Sequence, residues 1–497
     1  MRIHLLPALV LSLLCGTLYA ADAPIEVASP HFVVVTDGTE SSARQLLDNL
    51  ERMRTLLQGL SSKLNSDPSA PILVVAQKNG KGFREVQPAS AQGEGQLTVA
   101  GYFVGAGDQN FIALRQDIEF QHPYAAVYHE YTHFNFRNIG RWMPLWLNEG
   151  LAQFYGNTNF RQKEIIIDEP DPGLIQFLRQ NNLIPLDVLF KVDHNSPYYH
   201  KEDKGSVFYA ESYALTSLLQ LNDLTSHTEH IKEYLLRLSL QEDPIEAARK
   251  SFGDLKKLQD SLSGYIHQEQ FNKVVYSAAS APIDSASYKV RTLTVAQFNV
   301  DRANLLLHVG RRDDAAAMLK SVLASDPNNP DAYEVMGYLD LSKNDKTAAI
   351  KDFAQAMNLN SKSYLAYYYF AVVSMGDPNS AADPRIETSL QTSIQLNPNS
   401  AFSYNQLAQW YVSHHQKLDE AQGLMTKAQQ LDRTNFYYRL NAANLFMMRG
   451  KLDLAQQTVK IAQSLATDTH QKELADNLQQ RLDTMKASQP ASASPTP

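Results

Sequence analysis

The sequence predicts an α+β domain followed by an all-α repeat solenoid, and three observations carry that prediction. Over residues 24–120, short β-rich runs surround one long helical pattern. Over 121–276, helical patterns dominate and strand-like runs are few. Past residue 290, small residues recur at Ala303, Gly337, Ala371, Ala408 and Ala443, in steps of 34, 34, 37 and 35. A period near 34 marks a stacked helix pair that cannot bury its apolar face alone.

The elements follow in order. Arg2 and the amine precede an apolar run from Leu5 to Leu14 and then small residues, so residues 1–23 are expected to be a signal peptide and the protein to be exported. That run is too short for a permanent membrane anchor, and no membrane span is expected in the mature chain. The single cysteine, Cys15, falls inside it, so no disulfide and no thiol chemistry are expected afterwards. His31 to Glu40 reads as a strand closed by a turn, Ser42 to Leu60 as a helix, and Pro71 to Ala76 as a buried strand. A Gly/Gln/Ser-rich loop is expected from Gly80 to Gly95, then strands at Leu97–Val104 and Asn110–Arg115. The second of these is expected to be the sheet edge along which an extended peptide pairs.

Residues 24–276 thus form the first domain, 277–290 a small, polar, Pro-containing linker, 291–486 about five repeats, and 487–497 a disordered Ser/Pro/Ala-rich tail. The best repeat, Asp331 to Ser361, carries Tyr333, Met336-Gly337, Ala349, Phe353 and Ala356 and resembles the tetratricopeptide consensus at each of those places. The resemblance implies a protein partner for the solenoid. The aromatic run Tyr364 to Phe370 is expected to fill the solenoid core. A surplus of 53 Asp+Glu over 45 Lys+Arg leaves a net charge of −8, without the basic field that nucleic acid requires.

Chemistry concentrates at Tyr128-His129-Glu130-Tyr131-Thr132-His133. On a helix His129 and His133 lie one above the other, so two imidazoles can converge on one ion, with Glu130 beside them to reach a bound water. With 14 His in 497 residues, this motif is expected by chance about 0.02 times. A catalytic zinc wants a third ligand and an open position. Sixteen residues past His133 stands Glu149, within Leu145-Trp146-Leu147-Asn148-Glu149-Gly150-Leu151-Ala152.

That segment is similar to the one by which gluzincin zinc metallopeptidases of the aminopeptidase N and thermolysin type supply a glutamate ligand. Together with the strand–helix layout, the chain resembles their peptidase-MA-like branch. The resemblance implies an α+β zincin-like metallopeptidase domain with one Zn2+ held by His129, His133 and Glu149, Glu130 as general base, and a protein or peptide substrate. It also implies that Asn148 and Gln153 support the ligands. In this family a Tyr-x-Lys-Gly segment donates to the oxyanion; here Tyr209 is followed by Glu211 and Ser212, and Tyr213 competes for the role. The Gly-x-Met-Glu-Asn segment that grips a substrate amine in aminopeptidases is absent upstream of His129. The alternative function is an exported scaffold that acts through its repeats, with the catalytic domain vestigial.

Overall fold

The computed structural model describes residues 23–59, 67–89, 100–118, 124–136, 143–161, 163–169, 171–200 and 202–488. The expected signal peptide up to residue 22 and the tail from residue 489 lie outside them.

The chain opens with strands β1 (Ile25–Ala28) and β2 (Phe32–Thr36), then helix α1 (Glu40–Gly59) and strand β3 (Ile72–Gln77). Helix α1 buries Ala43, Leu46, Leu47, Leu50, Met53 and Leu57, the spacing of one apolar stripe. Next come α2 (Gly80–Val86), β4 (Gly101–Gly105), β5 (Asn110–Arg115), α3 (Ala125–Phe136), α4 (Leu145–Gly156), β6 (Asn159–Phe160) and β7 (Glu164–Ile167). Seven helices follow: α5 (Pro172–Gln180), α6 (Leu186–Leu189), α7 (Pro197–His200), α8 (Glu202–Ser226), α9 (His230–Ser239), α10 (Pro244–Phe252) and α11 (Leu255–His267). Strands β8 (Val274–Ser277) and β9 (Lys289–Thr292) close the domain.

Six strands form one mixed sheet in the order β4-β5-β3-β2-β1-β9, and β6, β7 and β8 form a second, antiparallel one. Strand β3 is buried throughout and pairs in parallel with β2 and β5. A strand covered on both faces reads as a continuous apolar run, as Ile72 to Ala76 does. Alternation then sorts the sheet's side chains. Val34, Val74, Ile112 and Leu114 pack toward α1, α3 and α4, while Val35, Val75, Phe111 and Ala113 pack toward α2 and the first solenoid helix.

The solenoid consists of five antiparallel helix pairs: α12 (Val295–His308) with α13 (Arg312–Ser325), α14 (Pro330–Ser342) with α15 (Lys346–Asn358), α16 (Tyr364–Met375) with α17 (Arg385–Leu396), α18 (Ala401–Ser413) with α19 (Leu418–Leu431), and α20 (Phe436–Met448) with α21 (Leu452–Leu465). A final helix, α22 (Thr469–Ala487), packs on the last pair. The recurring small residues mark the tightest approaches. A Cβ on Gly337 would lie 2.7 Å from the Phe353 ring of the paired helix.

Three expectations are corrected and one is refined. Residues 80–86 are helical because the Asn79 side chain accepts from the Lys81 and Gly82 amides and caps the turn. The rest of the expected loop, from residue 90 on, lies outside the described residues. The sheet edge is β4, antiparallel to β5; Phe111–Arg115 is interior, paired on both sides. The largely helical stretch 121–276 also carries β6, β7 and β8. Finally, 277–290 is no free linker: Ala281 is fully buried, Tyr288 donates to Asp48 at 2.9 Å, and β9 pairs with β1. Small polar residues disguise this segment because its hold on the domain comes from backbone pairing and two anchors.

Candidate metal centre

Helices α3 and α4 bring His129, His133 and Glu149 together. The Nε2 atoms of the two histidines lie 3.1 Å apart, with their rings at 83°. Glu149 Oε2 lies 3.6 Å from His129 Nε2 and 3.4 Å from His133 Nε2. One donor atom from each lies within 4.8 Å of the other two, and among the described residues this is the one such group of three metal-ligand side chains. Donors about 2.0–2.1 Å from a tetrahedral zinc stand roughly 3.3 Å apart, so the cluster fits that ion in spacing and in donor chemistry.

The packing that produces this convergence is local. Trp146, Leu147, Leu151, Phe154 and Tyr155 bury α4 in the main core. Gly150 sits against α8, where a Cβ would stand 2.0 Å from Thr216 Oγ1 and 2.4 Å from the Ser212 carbonyl oxygen. At Gly156 a Cβ would lie 3.3 Å from the Cβ of His129. Helix α4, which carries Glu149, is therefore fixed between α3 and α8 by glycines.

Electrostatics inside the cluster keep the Glu149 carboxylate ionised and place negative charge against the imidazoles. Burial works to raise the Glu149 carboxyl, but hydrogen bonding by His129 and His133 outweighs it and holds the group down at about 2. Burial works to lower His133, and the carboxylates of Glu149 and Glu130 outweigh it and raise its pKa. His133 Nδ1 lies 3.3 Å from Asn148 Oδ1. Because that oxygen accepts, the neutral ring carries its hydrogen on Nδ1 and turns the Nε2 lone pair into the cluster. Gln153, one turn past Glu149, donates its Nε2 to Asn157 Oδ1 at 3.2 Å. Glu130 is exposed on α3, beside the histidines in sequence.

The two tyrosine candidates occupy different surroundings. Tyr209 is 39% exposed and its ring lies 6.0 Å from that of Tyr199. Burial, the hydrogen bond with Tyr199 and the charges of Glu149 and Glu130 all push its phenol up, so it stays protonated within the field of the cluster. Tyr213 is fully buried, beside Asp168 and Asn157. Glu211 also faces inward and accepts from the Ile184 amide at 2.6 Å, and burial pushes its carboxyl up to about 8. Two residues of this neighbourhood escaped sequence reasoning. Tyr199 carries no motif, and Asp168, at φ 56° with its carboxyl raised by burial to about 7, sits in an unremarkable run after β7.

No protein-family model matches the chain, and no curated protein matches it. Solved structures match parts of it. It is 20% identical to YrrB, described as a TPR protein with an unusual peptide-binding site, over 37% of this chain and 92% of that one, with a TM-score of 0.33. It is 22% identical to MamA over 34% and 91% of the two chains, with a TM-score of 0.30. It is 18% identical to a thermophilic TPR protein of Thermus thermophilus over 39% and 100%, with a TM-score of 0.29. Among the described residues no helix is long and apolar enough to cross a membrane. The C-terminal part of this chain is a helical-repeat solenoid by its own five stacked helix pairs.

Proposed function

We propose that this protein is an exported zinc metallopeptidase of gluzincin type, whose solenoid engages protein substrates or partners. The observation that carries the reading is the convergence of His129, His133 and Glu149 at spacings a tetrahedral ion accepts. When bound there, zinc supplies Lewis acidity toward a peptide carbonyl and toward water. Glu130 takes the proton of the attacking water and returns it to the leaving amine. The Tyr209 phenol, protonated over the working pH range, donates to the developing oxyanion. Among the described residues strand β4 has no partner on its outer edge, and it packs on α3 through Phe103 and Phe134, whose rings lie 5.4 Å apart. An extended substrate adds to that edge as a further antiparallel strand.

A second reading keeps the solenoid as a protein-interaction scaffold and leaves the cluster without catalysis. It asks less, since it needs only the repeats, the part of the chain with solved counterparts. The test is mass-spectrometric mapping of cuts in a complex peptide mixture by the zinc-loaded chain, with Glu130→Gln as control. Cuts absent from the variant support the peptidase. Equal patterns, with zinc retained in both, reject catalysis and leave the scaffold.

A further inference from the structure

The solenoid already holds a segment, and the segment is its own. The turn between β4 and β5, closed by the Ala106 amide on the Gln109 carbonyl, reaches the first helices of three successive repeats. The Tyr369 hydroxyl on α16 donates to the Asp108 carboxylate, and Asn304 on α12 donates its Nδ2 to Gln109 Oε1 at 3.0 Å. These are side-chain to side-chain contacts that read an acid followed by an amide. Tyr364 to Phe370, expected to be core filling, is split in role. Phe370 is buried within the solenoid, while Tyr369 faces the other domain.

Beside the turn is a cavity of about 270 Å³ lined by Asp108, His308, Arg312, Tyr338 and Tyr369 among others. Arg312 is exposed there. The His308 ring is oriented by Nδ1 against the Asn304 carbonyl at 2.8 Å and by Phe111, whose ring centroid is 4.5 Å away. The Tyr338 hydroxyl is committed to Glu334, at 2.6 Å. With Asp108 withdrawn, the donors facing the cavity would be the Arg312 guanidinium and the freed phenol of Tyr369, which suit a carboxylate. Gly107, at the tip of the turn, has open space where a Cβ would lie.

We propose that this cavity is the binding site for an Asp- or Glu-bearing segment of a partner protein, which displaces Asp108 and takes over Tyr369, Arg312 and Asn304. The chain's own Asp108-Gln109 turn is the internal stand-in for that segment. Displacement is felt beyond the solenoid, because the turn ends β4, and β4 packs on α3. The inference rests on the protein-binding role proposed for the repeats and not on catalysis.

The test uses the metal-free, full-length chain carrying Glu130→Gln, so that no cleavage occurs and failure has no bearing on the peptidase. The probe is a fluorescent peptide of the turn's own sequence, Gly-Ala-Gly-Asp-Gln-Asn with blocked ends, titrated by anisotropy against a twin carrying Asn for Asp. Adding Asp108→Asn to the protein weakens the internal competitor and should tighten probe binding about tenfold. Arg312→Glu and Tyr369→Phe should each loosen it by tenfold or more, with circular dichroism confirming the fold. Amide exchange over residues 102–110 should rise at least fivefold when the probe binds. Equal affinity for both peptides, no gain from Asp108→Asn, or unchanged exchange on saturation each overturns the proposal.

Discussion

Gly150→Ala tests the packing argument for the metal centre. The added methyl would stand 2.0 Å from Thr216 Oγ1 and 2.4 Å from the Ser212 carbonyl oxygen, against an ordinary contact of 3.4–4 Å. The threonine rotor can turn aside, but the carbonyl belongs to the backbone of α8 and cannot, so the two helices must separate by about 1 Å. Overpacking of this kind costs about 1–3 kcal/mol. For a domain of this size that lowers Tm by about 2–12 °C. Glu149 is the neighbouring residue on α4, and zinc sites tolerate ligand displacements of only about 0.2 Å. Zinc affinity should therefore fall at least tenfold, read by competition with a chromophoric chelator beside a calorimetric melt. Gly264→Ala is the control, since a Cβ there, in the last turn of α11, meets nothing within 4 Å. It should leave zinc binding alone and raise stability by about 0.5–1 kcal/mol. A Gly150→Ala chain that melts and binds zinc like its parent would refute the claim that α4 is held at its limit of approach.

Asn148→Ala removes the acceptor that fixes the His133 ring, and should weaken zinc binding by about 10- to 100-fold with little change in Tm. Tyr209→Phe should lower kcat by about 10²–10³ with KM nearly unchanged, whereas Tyr213→Phe should alter stability and leave kcat of the surviving folded fraction alone. Glu211 is raised from 4.5 to about 8 in the fold. The unfolded chain thus binds fewer protons between those values, and stability falls as pH climbs from about 4.5 to 8. Glu211→Gln keeps the acceptor for the Ile184 amide and removes this slope. Its Tm should exceed the parent's at pH 8, with the difference shrinking toward pH 5, and a parallel pH profile for both chains would count against a buried neutral carboxyl.

How much of this was legible in the sequence depended on the range of the interactions involved. The buried strand at Ile72 to Ala76, the helix α1 and the five helix pairs are written in local periodicity. Such periodicity is set by residues a few positions apart. The spacing of His129 and His133 is likewise a property of one helix. Glu149 was legible only as part of a segment that resembles a known family, since nothing in a count of residues says that α4 folds back onto α3.

Other features belong to tertiary structure alone. Which strand lies at the edge follows from sheet order, which the alternation of side chains does not encode, and so the edge expected at Phe111–Arg115 falls instead on Gly101–Gly105. Residues 277–290 read as a linker because β9 is tied to β1 by backbone hydrogen bonds, which leave no side-chain signature. The division between domain and repeats was likewise drawn too cleanly, because Phe298 and Leu305 on α12 complete the core on one face of the sheet. Tyr209 and Tyr213 share one helix and one residue type, and only burial distinguishes them: one stands in the field of the cluster, the other is closed in beside Asp168. The sequence by itself marked α1, the buried strand β3, the repeat helices and the candidate ligand pair His129 and His133, because short-range periodicity and side-chain chemistry are local. The tertiary structure decided the sheet edge, the closeness of α4 to α8 and the capture of Asp108 by Tyr369, because each depends on two segments far apart in the chain meeting at a distance of a few ångströms.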